Sequence, residues 1–297
     1  MILLNYFFYY LIIIPISVLP YPLLYLFSDF LYLAIYRVFG YRRKVVESNL
    51  KNSFPEKSVE ELKTIEKKFF KHFCDIIVET LKTFTISEKD IRERFAFKNA
   101  EMLNKYYDNG NSVIGVTAHY GNWEWGALSM GIFLDHKTMG IFHQLKSDFW
   151  DKRLRSSRGK FGLALVPTDQ VKPWLKENNN TPVLPGFVGD QTPHKVNRCH
   201  WMTFLNQETP VFLGAEKYAR EYNWPMVYAA IRKEKRGYYS VEVILVSDSP
   251  LTEKPTALTE KHVKILEEQI IEAPEYWLWT HRRWKRDKPD NYETYQG

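Results

Sequence analysis

The chain predicts an α/β protein, a mixed sheet flanked by helices, with an apolar membrane-anchoring helix ahead of it. Three observations carry this reading. Residues Met1 to Ser28 contain no charged side chain. From Ser112 onward, short apolar runs alternate with amphipathic helical patterns. The hexapeptide His119-Tyr120-Gly121-Asn122-Trp123-Glu124 lies between an apolar run, Val113 to Ala118, and a segment rich in small and apolar residues, Trp125 to Phe133. It therefore falls where a strand ends and a helix begins, the place where open α/β sheets build ligand sites.

The elements follow in order. A membrane span needs roughly 20 apolar residues, so Ile2 to Leu19 is just long enough, and Pro20-Tyr21-Pro22 is a natural stop. No basic residue precedes this run and no small-residue cleavage site follows it, which argues against a signal peptide. Leu23 to Phe39 is apolar but carries Asp29, and is expected at the membrane interface or packed on the body. Residues 1–40 are thus read as an anchor and interfacial segment, and residues 41–297 as the catalytic domain. Arg37, Arg42, Arg43 and Lys44 follow the apolar region and place the body in the cytoplasm by the positive-inside rule. Residues Val45 to Thr85 read as helical, with Phe54-Pro55-Glu56 as a loop before a helix over Ser58–Thr83. In that helix Leu62, Ile65, Phe69, Phe73, Ile76, Ile77 and Leu81 recur at the helical period. Strands are predicted over Ser112–Ala118, Lys137–Phe142, Gly162–Pro167, Pro182–Val188, Met226–Arg232 and Tyr238–Val246. Helices are predicted over Asn122–Phe133, Ser147–Lys160, Asp169–Asn178, Val211–Tyr222 and Thr259–Ile271.

Charge and cysteine content narrow the function. Lys and Arg number 41 against 35 Asp and Glu, a net charge of +6. The basic residues cluster beside apolar or aromatic segments, at Arg37–Lys44 and Arg282–Arg286, which suits an anionic membrane surface better than nucleic acid. Trp277, Trp279 and Trp284 beside Arg282, Arg283, Lys285 and Arg286 suggest either interfacial anchoring or packing on the domain. Cys74 and Cys199 are far apart and read as reduced thiols. No glycine-rich phosphate loop or dinucleotide fingerprint is present. No metal is expected: His119 has no second histidine at helical ligand spacing, and Cys199, His200 and His194 are too scattered.

His119 is the candidate general base. Gly121 permits a tight path, Asn122 is a candidate N-cap, and Glu124 falls in the first helical turn, near enough to bond and orient the imidazole. Asp190 follows the strand pattern that ends at Phe187-Val188, and so also lies at a strand end, although a turn-forming Asp is the plainer reading. Trp123 and Trp125 read as packing residues beside a substrate pocket.

His119-Tyr120-Gly121-Asn122-Trp123-Glu124 resembles the H-x4-D/E motif of the glycerolipid acyltransferase superfamily, in the local form found in the bacterial lipid A biosynthesis (lauroyl/myristoyl) acyltransferases. Tyr41–Val46 with Asn49-Leu50 and Phe54-Pro55-Glu56, then Arg158-Gly159-Lys160-Phe161-Gly162, then Asp190-Gln191, then Pro274–Trp279 with His281–Lys285 resemble that family's other blocks, in the same order. The resemblance implies a glycerolipid acyltransferase-like fold and an enzyme of the bacterial inner membrane with its catalytic domain in the cytoplasm. It would move a fatty acyl chain from an acyl carrier protein thioester, or from CoA, to a hydroxyl of a lipid A precursor or related glycolipid in the membrane, without a cofactor. It makes His119 and Glu124 catalytic, and Arg158, with Arg155 as second choice, a residue binding a phosphate or the oxyanion. Asn122, Trp123 and Asp190 are expected to bind substrate. The alternatives are an acyltransferase for a lyso-aminolipid or lysophospholipid, and a catalytically silent lipid-binding protein. Phe54-Pro55-Glu56 precedes His119, which argues against the phosphatidic-acid branch, where such a motif follows the histidine.

Overall fold

The computed structural model describes residues 2–142, 144–193, 199–290 and 292. His194 lies outside them.

The amino-terminal segment is helical throughout. α1 (Ile2–Phe8), a wider π-helical turn over Tyr9–Ile13 and α2 (Ile14–Val18) form one rod. The rod carries Pro15 at the start of α2, next to the wider turn, and ends where Leu19 turns extended ahead of Pro20, the N-cap of the next helix. α3 (Tyr21–Tyr32) and a π-helical turn over Leu33–Val38 form the second rod, bent by 119° from the first. The single span expected over Ile2–Leu19 is not found. Among the described residues no single helix is long and apolar enough to cross a membrane, although the bent pair Leu3–Val18 and Tyr21–Val38 meets the length and composition together.

α4 (Arg43–Ser53) and α5 (Val59–Lys82) follow, separated by the loop predicted at Phe54-Pro55-Glu56. Ser58 and Glu61 close a capping box at the start of α5. α5 buries Phe69, Phe70, Cys74, Ile76 and Val78. α6 (Glu88–Arg94), β1 (Phe95–Phe97) and α7 (Glu101–Asp108) were not foreseen. They are too short for a periodic pattern to stand out.

The remainder alternates as predicted: β2 (Ile114–Thr117), α8 (Trp123–Phe133), β3 (Lys137–Phe142), α9 (Asp148–Arg158), β4 (Ala164–Pro167), α10 (Val171–Glu177) and β5 (Val183–Val188). β6 (His200–Phe204) and β7 (Gln207–Val211) form a separate antiparallel hairpin. Its turn places Leu205 and Asn206 at positive φ, 49° and 62°, without the Asn-Gly pair that advertises such a turn. For this reason α11 starts at Gly214 (Gly214–Tyr222) and not at Val211, which pairs with His200. β8 (Met226–Lys235), β9 (Tyr238–Ser247) and α12 (Ala257–Glu272) complete the body.

The seven-stranded sheet has the order β1-β9-β8-β2-β5-β3-β4. Every neighbouring pair is parallel except β8 and β9, which are antiparallel. Two apolar layers cover it. One joins α4 and α5 with α11, α12 and the carboxyl-terminal tryptophans, and the other lies under α8 with Trp125, Leu128 and Tyr239. Trp277 and Trp279 are buried, as is Arg283, so these three pack on the domain and only Arg282, Lys285 and Arg286 of the basic tail face solvent.

Candidate active site

β2 and β5 are parallel neighbours in register, with Thr117 opposite Val188. Two residues beyond that pair stand His119 on one strand end and Asp190 on the other. The result is a close contact: His119 Nδ1 lies 2.7 Å from Asp190 Oδ1, and the His119 backbone N–H donates to Asp190 Oδ2 at 3.0 Å. Trp277 Nε1 donates to the same Oδ2 at 2.8 Å. Asp190 is buried, whereas the imidazole is 21 % exposed. Burial opposes its charge, but the facing imidazole and three hydrogen bonds outweigh that and hold the Asp190 carboxyl below its ordinary value. For His119, desolvation works downward, and is outweighed by the Asp190 charge and bond and by the nearby Glu124 charge; its pKa is raised. With Nδ1 given to Asp190, Nε2 is the basic nitrogen. Gln191 Nε2 stands 3.3 Å from it.

The loop that carries His119 is clamped. The Leu278 N–H donates to His119 O at 3.1 Å and the Gly121 N–H to Tyr276 O at 3.0 Å, so the Pro274–Trp279 block runs beside the turn like a short strand. Gly121 has φ +60°, and a Cβ there would meet Ile231 Cγ2 at 2.8 Å, so glycine is required. The other family-like blocks converge on the same place. Asn49 Nδ2 donates to Trp279 O and His281 O, and Arg42 Nη1 to Thr280 O. Thr192 Oγ1 donates to Arg283 O at 2.7 Å. Arg283 itself shares a small cavity with Asp190, Thr117 and Tyr228. Burial pushes its guanidinium down to about 10, against the Asp190 charge.

Glu124 does not bond His119. It begins α8, turned toward the end of α9, where Arg158 Nε and Nη2 donate to its two oxygens at 2.7 and 2.6 Å. This is a fork-on-fork pair of the strong kind. It depends on a close approach: a Cβ on Gly131 of α8 would collide with the Phe161 carbonyl oxygen of the R-x-x-F-G turn. The Glu124 charge still acts on His119, whose ring Trp123 meets edge-on at 5.2 Å between centroids. Asn122 is the N-cap, with Oδ1 accepting from the Trp125 N–H at 2.9 Å. It is fully buried and its Nδ2 donates to Glu79, so its side chain turns inward, away from any substrate. Arg155 is not brought to the site. Its guanidinium lies over Phe142 and donates to Leu165 O.

Among the described residues no group of three or more His, Cys, Asp or Glu side chains is placed to hold a metal. One residue went unnoticed in the sequence, and another was named there without its contact to Asp190. Trp277 was visible only as part of a tryptophan-rich block. Glu79 had a signal, an acid four residues after Asp75 and directly after Ile76-Ile77-Val78, on a face that should be buried.

A histidine–carboxylate pair stands on adjacent strand ends with a charge-paired arginine beside it, and among the described residues no Ser, Thr or Cys side chain bonds the imidazole; the arrangement is one that can serve as a general base. The family model described as bacterial lipid A biosynthesis acyltransferase matches residues 2–286, and the chain belongs to that family. It is therefore an acyltransferase. It is 23 % identical over 269 residues to the lipid A biosynthesis palmitoleoyltransferase of Escherichia coli K12, covering 90 % of this chain and 86 % of the relative. It is 22 % identical over 276 residues to the lipid A biosynthesis acyltransferase of Haemophilus influenzae, covering 92 % and 87 %.

Proposed function

We propose that this protein transfers a fatty acyl chain from an acyl carrier protein thioester to a hydroxyl of a lipid A-type acceptor, with His119 as general base and Asp190 as its partner. The observation that carries this is the 2.7 Å bond from His119 Nδ1 to Asp190, which fixes the tautomer and leaves Nε2, beside the Gln191 amide, as the nitrogen that takes a proton. The acceptor oxygen attacks the thioester carbonyl carbon as Nε2 removes its proton. The tetrahedral oxyanion collapses, the C–S bond breaks, and the leaving sulfur takes the proton from the His119 imidazolium, giving the free thiol and restoring neutral His119. No acyl-enzyme forms. The imidazolium made in the first step is stabilised by Asp190 directly; the Glu124 charge adds to this at longer range and the Arg158 charge opposes it. Arg158 is held flat by Glu124 through two of its nitrogens, and its remaining Nη1 is the donor for a substrate phosphate or the carbonyl oxyanion.

The catalytic body is held at the cytoplasmic face of the inner membrane by the bent helix pair, lying in the plane of one leaflet. Its outward face is apolar: Leu3 is 82 % exposed, Leu11 63 %, Phe30 62 %, and Phe39 79 %. Its inward face is bonded to the body. Trp150 Nε1 donates to Asn5 Oδ1, Arg153 to the Tyr10 hydroxyl, and Ser28 to Asp75. A helix so tied lies along an interface with one side buried in lipid.

The test is direct. Purified protein in anionic vesicles is given acyl carrier protein thioester, or the CoA thioester, and a lipid A precursor, and the products are read by mass spectrometry. An acceptor gaining one acyl chain from the carrier-protein donor supports the reading. Transfer to lysophospholipid alone would sink it.

A further inference from the structure

Glu79 is a fully buried carboxylate of α5 that the transfer chemistry does not use. Three elements donate to it. Tyr25 of α3 gives its hydroxyl to Oε1 at 2.7 Å. Asn122 Nδ2 and the Tyr239 hydroxyl of β9 both give to Oε2 at 2.7 Å. Trp125 Nε1 also donates to the Glu79 backbone carbonyl at 3.1 Å. An asparagine amide has one donor end and one acceptor end. Burial raises the Glu79 pKa to about 7; in its ionised form it accepts only the donor end, and so decides which way the Asn122 amide faces. The amide oxygen is then left to the Trp125 N–H, and α8 is capped. Asn122 stands between His119 and Glu124, so this cap fixes the turn that bears one and the helix that bears the other. At the far end of the same path is Tyr25, on a helix whose outer residues Leu23, Leu26 and Phe30 are exposed.

We propose that Glu79 is a positioning residue that couples the seating of α3 on the body to the geometry of the His119–Glu124 turn. The inference rests on the acyl-transfer reading above. With α3 seated, the Tyr25 hydroxyl completes the set of donors on Glu79, and Glu79 holds Asn122. With that hydroxyl gone, the carboxylate and the amide lose one fixed point and the turn gains freedom. Misplacement of about 1 Å at a reacting group costs up to roughly 10²-fold in rate.

Full-length Tyr25→Phe, Glu79→Gln, Tyr10→Phe and wild type would be compared in anionic vesicles with acyl carrier protein thioester and lipid acceptor. Melting temperature and vesicle binding would be measured alongside. Tyr10 also ties the helix pair to the body, through Arg153, and is not one of the three side chains that donate to the Glu79 carboxylate. The expected result is a fall in kcat of about tenfold or more for Tyr25→Phe and Glu79→Gln, with KM for the donor and vesicle binding unchanged. Tyr10→Phe is expected to keep wild-type kcat. If Glu79→Gln fails to fold, Tyr25→Phe decides alone. Wild-type kcat in Tyr25→Phe overturns the inference and leaves the enzyme reading intact, as does an equal loss in Tyr10→Phe or a loss that follows melting temperature. An inactive wild type overturns both.

Discussion

The site holds two acid–base pairs built in different ways. His119 and Asp190 come from the ends of adjacent parallel strands, and their contact is set by sheet register. Glu124 and Arg158 come from the start of one helix and the end of another, and their contact is set by helix packing at Gly131 and Phe161. The first pair is buried at its acid and half-open at its base, which suits proton transfer. The second neutralises itself through two short bonds and so is a fixed ion pair, with Nη1 of the guanidinium left over. A carboxylate near the histidine in sequence is thus not the one that orients it.

Substitutions can break this contrast. The largest effect is expected from His119→Ala, which removes the base and lowers kcat by about 10²–10⁴-fold while the fold persists. Circular dichroism with the vesicle assay would check both parts.

Asp190→Asn comes next, and should cost more than Glu124→Gln in kcat. Asn cannot accept from both the His119 backbone and ring while stabilising an imidazolium. An equal or larger loss in Glu124→Gln would reverse the assignment and make the helix-end acid the functional partner.

A pH profile sharpens the same point. His119 must be neutral to act as base, and its pKa is raised, so the acid limb of kcat/KM should lie above pH 6.5, with activity falling as pH drops through it. In Asp190→Asn the Asp190 charge is lost and the limb should move to lower pH. The stability linkage has two opposite signs. The raised His119 pKa contributes stability below its unfolded value that is lost as pH rises through the folded one. The lowered Asp190 pKa contributes stability above its unfolded value that is lost as pH falls through the folded one.

In the second pair, Arg158→Lys should lower activity without restoring wild-type turnover, because an ammonium cannot make the two parallel bonds to Glu124. Arg153→Ala and Arg155→Ala should be mild, since neither side chain reaches the site. A large defect in Arg155→Ala would mean that the helix end rearranges when substrate binds. The smallest effect on chemistry is expected at the outer helix face. Leu11→Ser with Phe30→Ser should release the protein from vesicles in a flotation assay at high salt and leave turnover on detergent-solubilised acceptor near wild type.

Much of this was legible in the chain. The alternation after Ser112 gave strands and helices in order, because period and turn chemistry are local. His119 stood out because glycine and a capping asparagine mark a strand-to-helix turn. Pro20 marked the end of the first rod, but hydropathy alone could not distinguish a span from a rod lying on the body. That depended on Asn5, Tyr10 and Ser28 finding Trp150, Arg153 and Asp75, partners far along the chain. The β6–β7 hairpin was hidden because Leu205-Asn206 adopts a turn that its residues do not advertise.

The sequence by itself determined the candidate base, the strand end that presents it, the cap that follows it and the arginine that the fold brings beside it. Only the tertiary structure decided which acid meets the histidine. Asp190 is 71 residues from His119, and Glu124 only five. Local spacing favours the nearer one. Sheet order places β5 beside β2, and register aligns Thr117 with Val188. Those choices rest on hydrogen bonding and burial summed over the whole sheet, which no window of the sequence contains.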